Sequence, residues 1–214
     1  MQAAYGTAAA YPVGTEKTWY LSGSDIGGAT VNGQSSGGGQ LVDTSAAITP
    51  GSSTYSSTGD PVGPNYTETS ALDQSQPIQD PPGTSIRFVS AAMAQPMDVV
   101  GSPRLTVQLS APTVAASQGI PAGQLVVFAK LYDIGPDGTT VQLPDRLISP
   151  ARVADVTKPV TLELPGIVHR FDTGHHLAIV LAGGDLAYRG SNTPQPVTLT
   201  TGGAFQQRLT IPVA

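Results

Sequence analysis

The chain has 214 residues, no cysteine and a formal net charge of −5, with ten Lys plus Arg set against fifteen Asp plus Glu. Ten cationic residues spread singly along the chain build no basic face, which excludes phosphate-neutralising contact with nucleic acid. The same sparsity (12% charged residues) argues against a protein held electrostatically on a membrane, and the missing cysteines exclude disulfides, thiolate metal sites and a cysteine nucleophile.

The start, Met1-Gln2-Ala3-Ala4-Tyr5, lacks the basic region and long apolar core of a signal peptide, so a signal for an exported parent is expected upstream. Few charges alongside much Ser, Thr, Gly and Gln lean towards an extracytoplasmic protein. Lys17-Thr18-Trp19-Tyr20-Leu21 predicts a strand, and Gln40-Leu41-Val42 a second, short one. Gly23 to Gly39 reads as a flexible loop. From Thr49 to Gly83 the chain is mainly Ser, Thr, Pro, Asp and Gly, too poor in apolar surface for a core of its own. It is expected to lie as an irregular segment over a sandwich, pinned by Tyr55 and Tyr66, or to run as a free linker.

Residues 84–214 are orderly. Ser85–Ser90 predicts a strand with Ile86 and Phe88 on one face and Arg87 and Val89 on the other. After Met97–Gly101, Leu105, Val107 and Leu109 alternate with Thr106, Gln108 and Ser110 in a half-buried strand. A helical turn is allowed only at Val114–Ile120. Leu125–Asp133 sets Val127, Ala129, Leu131 and Asp133 against Val126, Phe128, Lys130 and Tyr132; with both faces largely apolar it should be a central strand. Its apolar run, broken by Lys130, falls short of the roughly 18 residues that span a bilayer. Pro136-Asp137-Gly138 is a turn, since Pro presets φ and Gly accepts positive φ. Thr139–Leu143, Leu147–Val153, Val160–Leu164, Leu177–Ala182, Val197–Thr200 and Phe205–Ile211 follow as strands. About nine or ten strands with frequent turn signals predict an all-β jelly-roll β-sandwich with long irregular loops, in a single domain over 1–214. In that domain 1–83 is the entry strand plus irregular segment, and 84–214 the core. No internal repeat is present.

Several segments, taken in order, carry a family resemblance. Tyr11-Pro12 with Trp19-Tyr20-Leu21 looks like an entry strand. Asp80-Pro81-Pro82-Gly83-Thr84-Ser85 leads into Phe88-Val89-Ser90. Met97-Asp98-Val99-Val100-Gly101 steps to Pro103-Arg104-Leu105. Phe128–Asp133 with Pro136-Asp137-Gly138 is the strongest match, and His169-Arg170-Phe171 with Gly174-His175-His176-Leu177 is the last. Together they resemble the C-terminal jelly-roll domain, galactose-binding-domain-like in fold, of the X-prolyl dipeptidyl-peptidase and cocaine-esterase-like acyl esterases. The resemblance implies a non-catalytic accessory domain that stabilises an α/β-hydrolase catalytic domain of the same parent chain and shapes its substrate cleft or a subunit interface. It implies no catalytic, cofactor-binding or metal residue here, no cofactor, and an apolar docking face through which the isolated chain could self-associate.

Candidate chemistry is sparse. Gly33-Gln34-Ser35-Ser36-Gly37 fits the nucleophile-elbow pattern G-x-S-x-G, but that motif needs a strand before it and a helix after it, and a helix does not start on Gly37-Gly38-Gly39. It reads as loop. His175 and His176 are neighbours and point to opposite faces of a strand, so they cannot share a metal without another ligand. His169 could approach one of them across a hairpin, with Asp172 as a third ligand; the alternative is histidines satisfying backbone groups at strand ends. Asp133, Asp137 and Asp145 near one hairpin could suit calcium, although turn chemistry alone explains Asp137. Asp133 calls for a buried partner, Arg146 or Arg152. The alternative function is a stand-alone carbohydrate-binding jelly-roll module. That needs an exposed aromatic platform, and Trp19 in an apolar strand is better placed in the core. Asn65-Tyr66-Thr67 matches a glycosylation sequon, meaningful only in a secreted eukaryotic protein.

Overall fold

The computed structural model describes residues 14–23, 37–57, 80, 83–144, 148–185, 188, 190–191 and 194–214. In chain order the strands are β1 (Thr15–Ser22), β2 (Gly37–Val42), β3 (Gly51–Ser57), β4 (Ser85–Ser90), β5 (Met97–Gly101), β6 (Arg104–Val107) and β7 (Leu109–Ser110). The short helix α1 (Pro112–Ser117) follows, with Pro112 in its first turn, where a missing N–H costs nothing. Then come β8 (Leu125–Ile134), β9 (Val141–Gln142), β10 (Ile148–Val153), β11 (Val160–Glu163), β12 (Ile167–Phe171), β13 (His176–Ala182), β14 (Gln195–Thr201) and β15 (Arg208–Val213).

Among the described residues these strands form two sheets. The larger has twelve strands along the path β10-β8-β13-β4-β2-β1-β15-β5-β12, with β6, β9 and β11 paired off it; the smaller is β3-β14-β7. Every pairing is antiparallel except β2 with β4. The large sheet curls over: a side chain of β8, second along the path, is hydrogen-bonded to one of β12, at its far end. The curl encloses the main core, where Leu125, Val127 and Leu131 of β8 and Leu177, Ile179 and Leu181 of β13 join Val99, Leu105, Leu209 and Ile211 from the opposite layer. Val197 and Leu199 of β14 close it from the small sheet. The result is the expected all-β jelly-roll-like sandwich.

Three local expectations needed correction. The segment 49–83 is not wholly irregular, because Gly51–Ser57 is β3, paired with β14 along its whole length. Its Tyr55 is buried, as an anchor should be. The stretch 105–110 is two strands: β6 pairs with β15 and β11 in the large sheet, and β7 pairs with β14 in the small one. The change of sheet falls at Gln108, whose backbone N–H donates to Gln207 Oε1 at 2.8 Å rather than to a strand. Finally, Gly37–Gly39 is not loop but part of β2. Gly38 has φ +140°, and a Cβ there would lie 1.7 Å from the Arg87 carbonyl oxygen. Only glycine permits that approach of β2 to β4.

Candidate functional site

Central strand β8 carries a polar constellation on each face, and the period-2 alternation of the strand separates them. On the inner face, Asp133 is 3% exposed and stands at the end of the row Leu125, Val127, Ala129, Leu131. Its Oδ2 is 2.8 Å from His169 Nε2 and its Oδ1 2.8 Å from His175 Nδ1. An ionised carboxylate only accepts, so each imidazole places its N–H on the nitrogen facing Asp133. β12 supplies His169 and the turn before β13 supplies His175, so one carboxylate ties three segments together. The His169 ring also packs edge-on against Phe171, with centroids 4.8 Å apart. Neither histidine is hydrogen-bonded to a hydroxyl among the described residues. Among the described residues the set is built as a clamp that joins β8, β12 and the turn before β13.

On the outer face, Lys130 is buried between two carboxylates, its Nζ 2.9 Å from Asp80 Oδ1 and 3.2 Å from Asp185 Oδ2. Tyr132, also on β8, donates its hydroxyl to Asp80 Oδ2 at 2.5 Å. Burial works against the ammonium charge, but Asp80 and then Asp185, by charge and hydrogen bonding, outweigh it and hold the Lys130 pKa above its ordinary value. Burial and the neighbouring Asp80 charge push the Tyr132 phenol well up. Around this network lies a second apolar cluster: Val126, Phe128, Tyr132 and Ile134 of β8, Ala178, Val180 and Ala182 of β13, and Val89 of β4. The outer face of an antiparallel sandwich sheet is ordinarily polar; this one is packed on both sides.

The other residues raised by the sequence fall apart spatially. His176 Nδ1 lies 2.9 Å from the Ser90 carbonyl oxygen, a backbone-satisfying role at a strand end. Asp172 is exposed and pairs with Arg170 at 3.3 Å, away from the histidines' shared carboxylate. Among the described residues Asp133 is partnered by His169 and His175, while Arg152 donates to the Pro121 carbonyl oxygen. Asp137 accepts from the backbone N–H groups and hydroxyls of Thr139 and Thr140, which hold its pKa well below the ordinary carboxylate value. No group of three or more potential ligands among the described residues has metal-binding geometry. Trp19 is 3% exposed and belongs to the core, with Lys17 Nζ 4.4 Å from its ring centre, so it offers no sugar platform. Ser35, Asn65, Tyr66, Thr67, Asp145 and Arg146 lie outside the described residues. The sequence reading missed the Asp80–Lys130–Asp185 network. Its one legible sign was Lys130 itself, a lone charge inside a run predicted to be buried.

Comparison with known proteins supplies the context. Residues 4–211 match the family model of the X-Pro dipeptidyl-peptidase C-terminal non-catalytic domain. No curated protein matches the chain. Among solved structures, the chain is similar to a CocE/NonD family hydrolase from Staphylococcus aureus, at 16% identity and TM-score 0.60, covering 98% of this chain and 39% of that one. It is similar to an alpha-amino acid ester hydrolase at 16% identity and TM-score 0.58, over 94% of this chain and 36% of that one. An aminopeptidase from a marine sediment archaeon, Thaumarchaeota archaeon, aligns at 13% identity and TM-score 0.59, over 92% of this chain and 37% of that one. The chain thus spans well under half the length of each of these hydrolases.

Proposed function

The chain belongs to the family of X-Pro dipeptidyl-peptidase C-terminal non-catalytic domains, and from that membership we propose that it is the accessory domain of a serine hydrolase of the X-Pro dipeptidyl-peptidase or acyl-esterase type. Its partner is the α/β-hydrolase catalytic domain of the same parent. Its work is to stabilise that domain and to form part of the substrate cleft or of a subunit interface. The parent reaction is acyl transfer from an ester or amide to water, with every triad residue outside this chain. Residues 1–214 act as one domain that carries no catalytic, cofactor or metal residue of its own.

The observation that carries this reading is the family match across nearly the whole chain. Among the described residues Ile120, Val168 and Tyr188 are the exposed large apolar side chains. They are the candidates for docking contacts and for self-association of the isolated chain.

The test has two arms. The isolated chain is assayed on p-nitrophenyl esters and Xaa-Pro anilides, with no turnover expected. The reading frame upstream of Met1 is then sequenced, and a nucleophile elbow followed by Asp and His is expected in frame. Turnover by the isolated chain, or a stop codon and ribosome-binding site immediately before Met1, overturns the accessory reading.

A further inference from the structure

The accessory reading leaves one cleft unused. It has a volume of about 470 Å³ and opens over β7 and β14, between the 203–207 loop on one side and α1 with Val156 and Thr157 on the other. That volume falls within the range of small-molecule sites, roughly 300–1,000 Å³. Among the described residues none of its lining is charged. Its polar members include Gln108, Ser110, Thr198 and Thr200, and Phe205 is the one aromatic ring among the described lining residues, itself only partly buried.

Gln207 makes this cleft both rigid and selective. Its side chain is 4% exposed and fully committed: Oε1 accepts from the Gln108 backbone N–H at 2.8 Å, and Nε2 donates to the Thr200 carbonyl oxygen at 2.9 Å. The loop bearing Phe205 is thereby fastened to β14 and to Gln108, just before β7. The same two bonds occupy backbone groups that an extended peptide would need in order to add as a strand. Recognition is left to side chains. The hydroxyls of Ser110 and Thr200 and the Gln108 amide make no hydrogen bond among the described residues, and Thr198 shares its hydroxyl with Thr54 at 2.8 Å. Among the described residues, hydroxyls and an amide not bonded within the protein, an aromatic ring and no charge are complementary to a neutral ligand rich in hydroxyl groups.

We propose that the Phe205 cleft is a binding site for a neutral carbohydrate, a monosaccharide or the end of a short uncharged glycan. The lining includes neither Trp19 nor the candidate docking residues Ile120, Val168 and Tyr188, so the proposal does not rest on the accessory reading.

The test is a titration of the isotope-labelled 214-residue chain with glucose, galactose, mannose, cellobiose and maltotriose, each taken to tens of millimolar and followed by amide NMR shifts. At least one sugar is expected to give saturable shifts centred on Gln108, Ser110, Thr200 and Phe205. Phe205→Ala and, separately, Thr200→Val should each weaken that binding about tenfold, equivalent to about 1.4 kcal/mol. Both side chains are partly or fully exposed, and an unchanged dispersed spectrum verifies that each variant is folded. No saturable shift with any of the five sugars overturns the proposal, as does binding that both variants leave intact or that maps to another face.

Discussion

Asp133 on β8 and His169 on β12 are hydrogen-bonded at 2.8 Å although their strands stand second and last along the path of the large sheet. The contact spans the sandwich from one layer to the other, and His175 completes it on the other carboxylate oxygen. Asp133→Ala leaves two imidazole N–H groups without their acceptor, while Asp133→Asn keeps the shape and one acceptor oxygen. Unsatisfied donors of this kind cost about 1–3 kcal/mol each when buried, less where water reaches them. Denaturant unfolding should rank stability as wild type, then Asp133→Asn, then Asp133→Ala. Because the histidines are partly exposed, His175→Ala should cost less than Asp133→Ala. Equal stabilities across the series would remove the clamp from the account of the fold.

The Lys130 network predicts a larger penalty. Lys130→Met fits the apolar surroundings of Phe128, Ile148 and Val180 but removes the ammonium that both Asp80 and Asp185 contact, leaving two buried carboxylates with less compensating charge. Breaking a buried pair from one side costs roughly 3–5 kcal/mol, so this single variant should lose a large part of the stability of the domain. Removing one negative charge for the positive charge lost, with Asp185→Asn in the same chain, leaves Asp80 beside the buried Arg87 and should recover much of the loss. A Lys130→Met chain with a wild-type unfolding midpoint would show that the three charges do not meet in solution.

Much of this architecture was legible in the sequence because period-2 alternation reports burial directly. Ser85–Ser90 came out as β4 with the predicted faces, and Leu125–Asp133 as β8, one residue short of its observed end. The failures share a cause: they are decisions made by distant partners. Gly51–Ser57 has no apolar alternation beyond Tyr55 and is a strand because β14 pairs with it. The 105–110 run looks continuous, but β15 captures one half and β14 the other. From the sequence, Asp133 is the carboxylate that could need a buried partner, with Arg146 or Arg152 to supply it; among the described residues His169 and His175 fill that place, since sequence spacing says nothing of which loop folds back. The Phe205 cleft left no signal, because Gln207 ties its loop to the backbone N–H of Gln108, a residue far away in sequence.

Alkaline solution should unfold the chain cooperatively, through three groups acting with the same sign. Burial raises the Tyr55 phenol pKa, burial and Asp80 raise that of Tyr132, and the two aspartates raise that of Lys130. Each binds its proton more tightly folded than unfolded. Their contribution is complete below the ordinary values of 10.0 for tyrosine and 10.5 for lysine, and is lost as pH rises towards the folded values. The Tyr55 hydroxyl is buried with no hydrogen-bond partner among the described residues. Tyr55→Phe should therefore raise stability at neutral pH by roughly 1 kcal/mol and flatten the alkaline limb. Thermal melts between pH 7 and the alkaline range decide this, and a variant with an unchanged alkaline limb would refute it.

Gly38 tests whether β2 is held where the parallel pairing with β4 puts it. Its φ of +140° is open to glycine, and an added Cβ would overlap the Arg87 carbonyl oxygen of the neighbouring strand. Backbone cannot yield there as a side-chain tip could, since Arg87 lies between Ile86 and Phe88, both of which are buried in the core. Gly38→Ala must either strain φ or push β2 off β4, and strain of this kind alone costs about 1–3 kcal/mol. A loss of at least about 2 kcal/mol is expected once the clash is added. Gly37, with ordinary backbone and 3.7 Å to its nearest neighbour, is the internal control, and Gly37→Ala should be nearly neutral. Amide exchange should show β2 and β4 deprotected together in Gly38→Ala. Matching stabilities for the two alanine variants would mean that the β2–β4 approach is looser than its geometry implies.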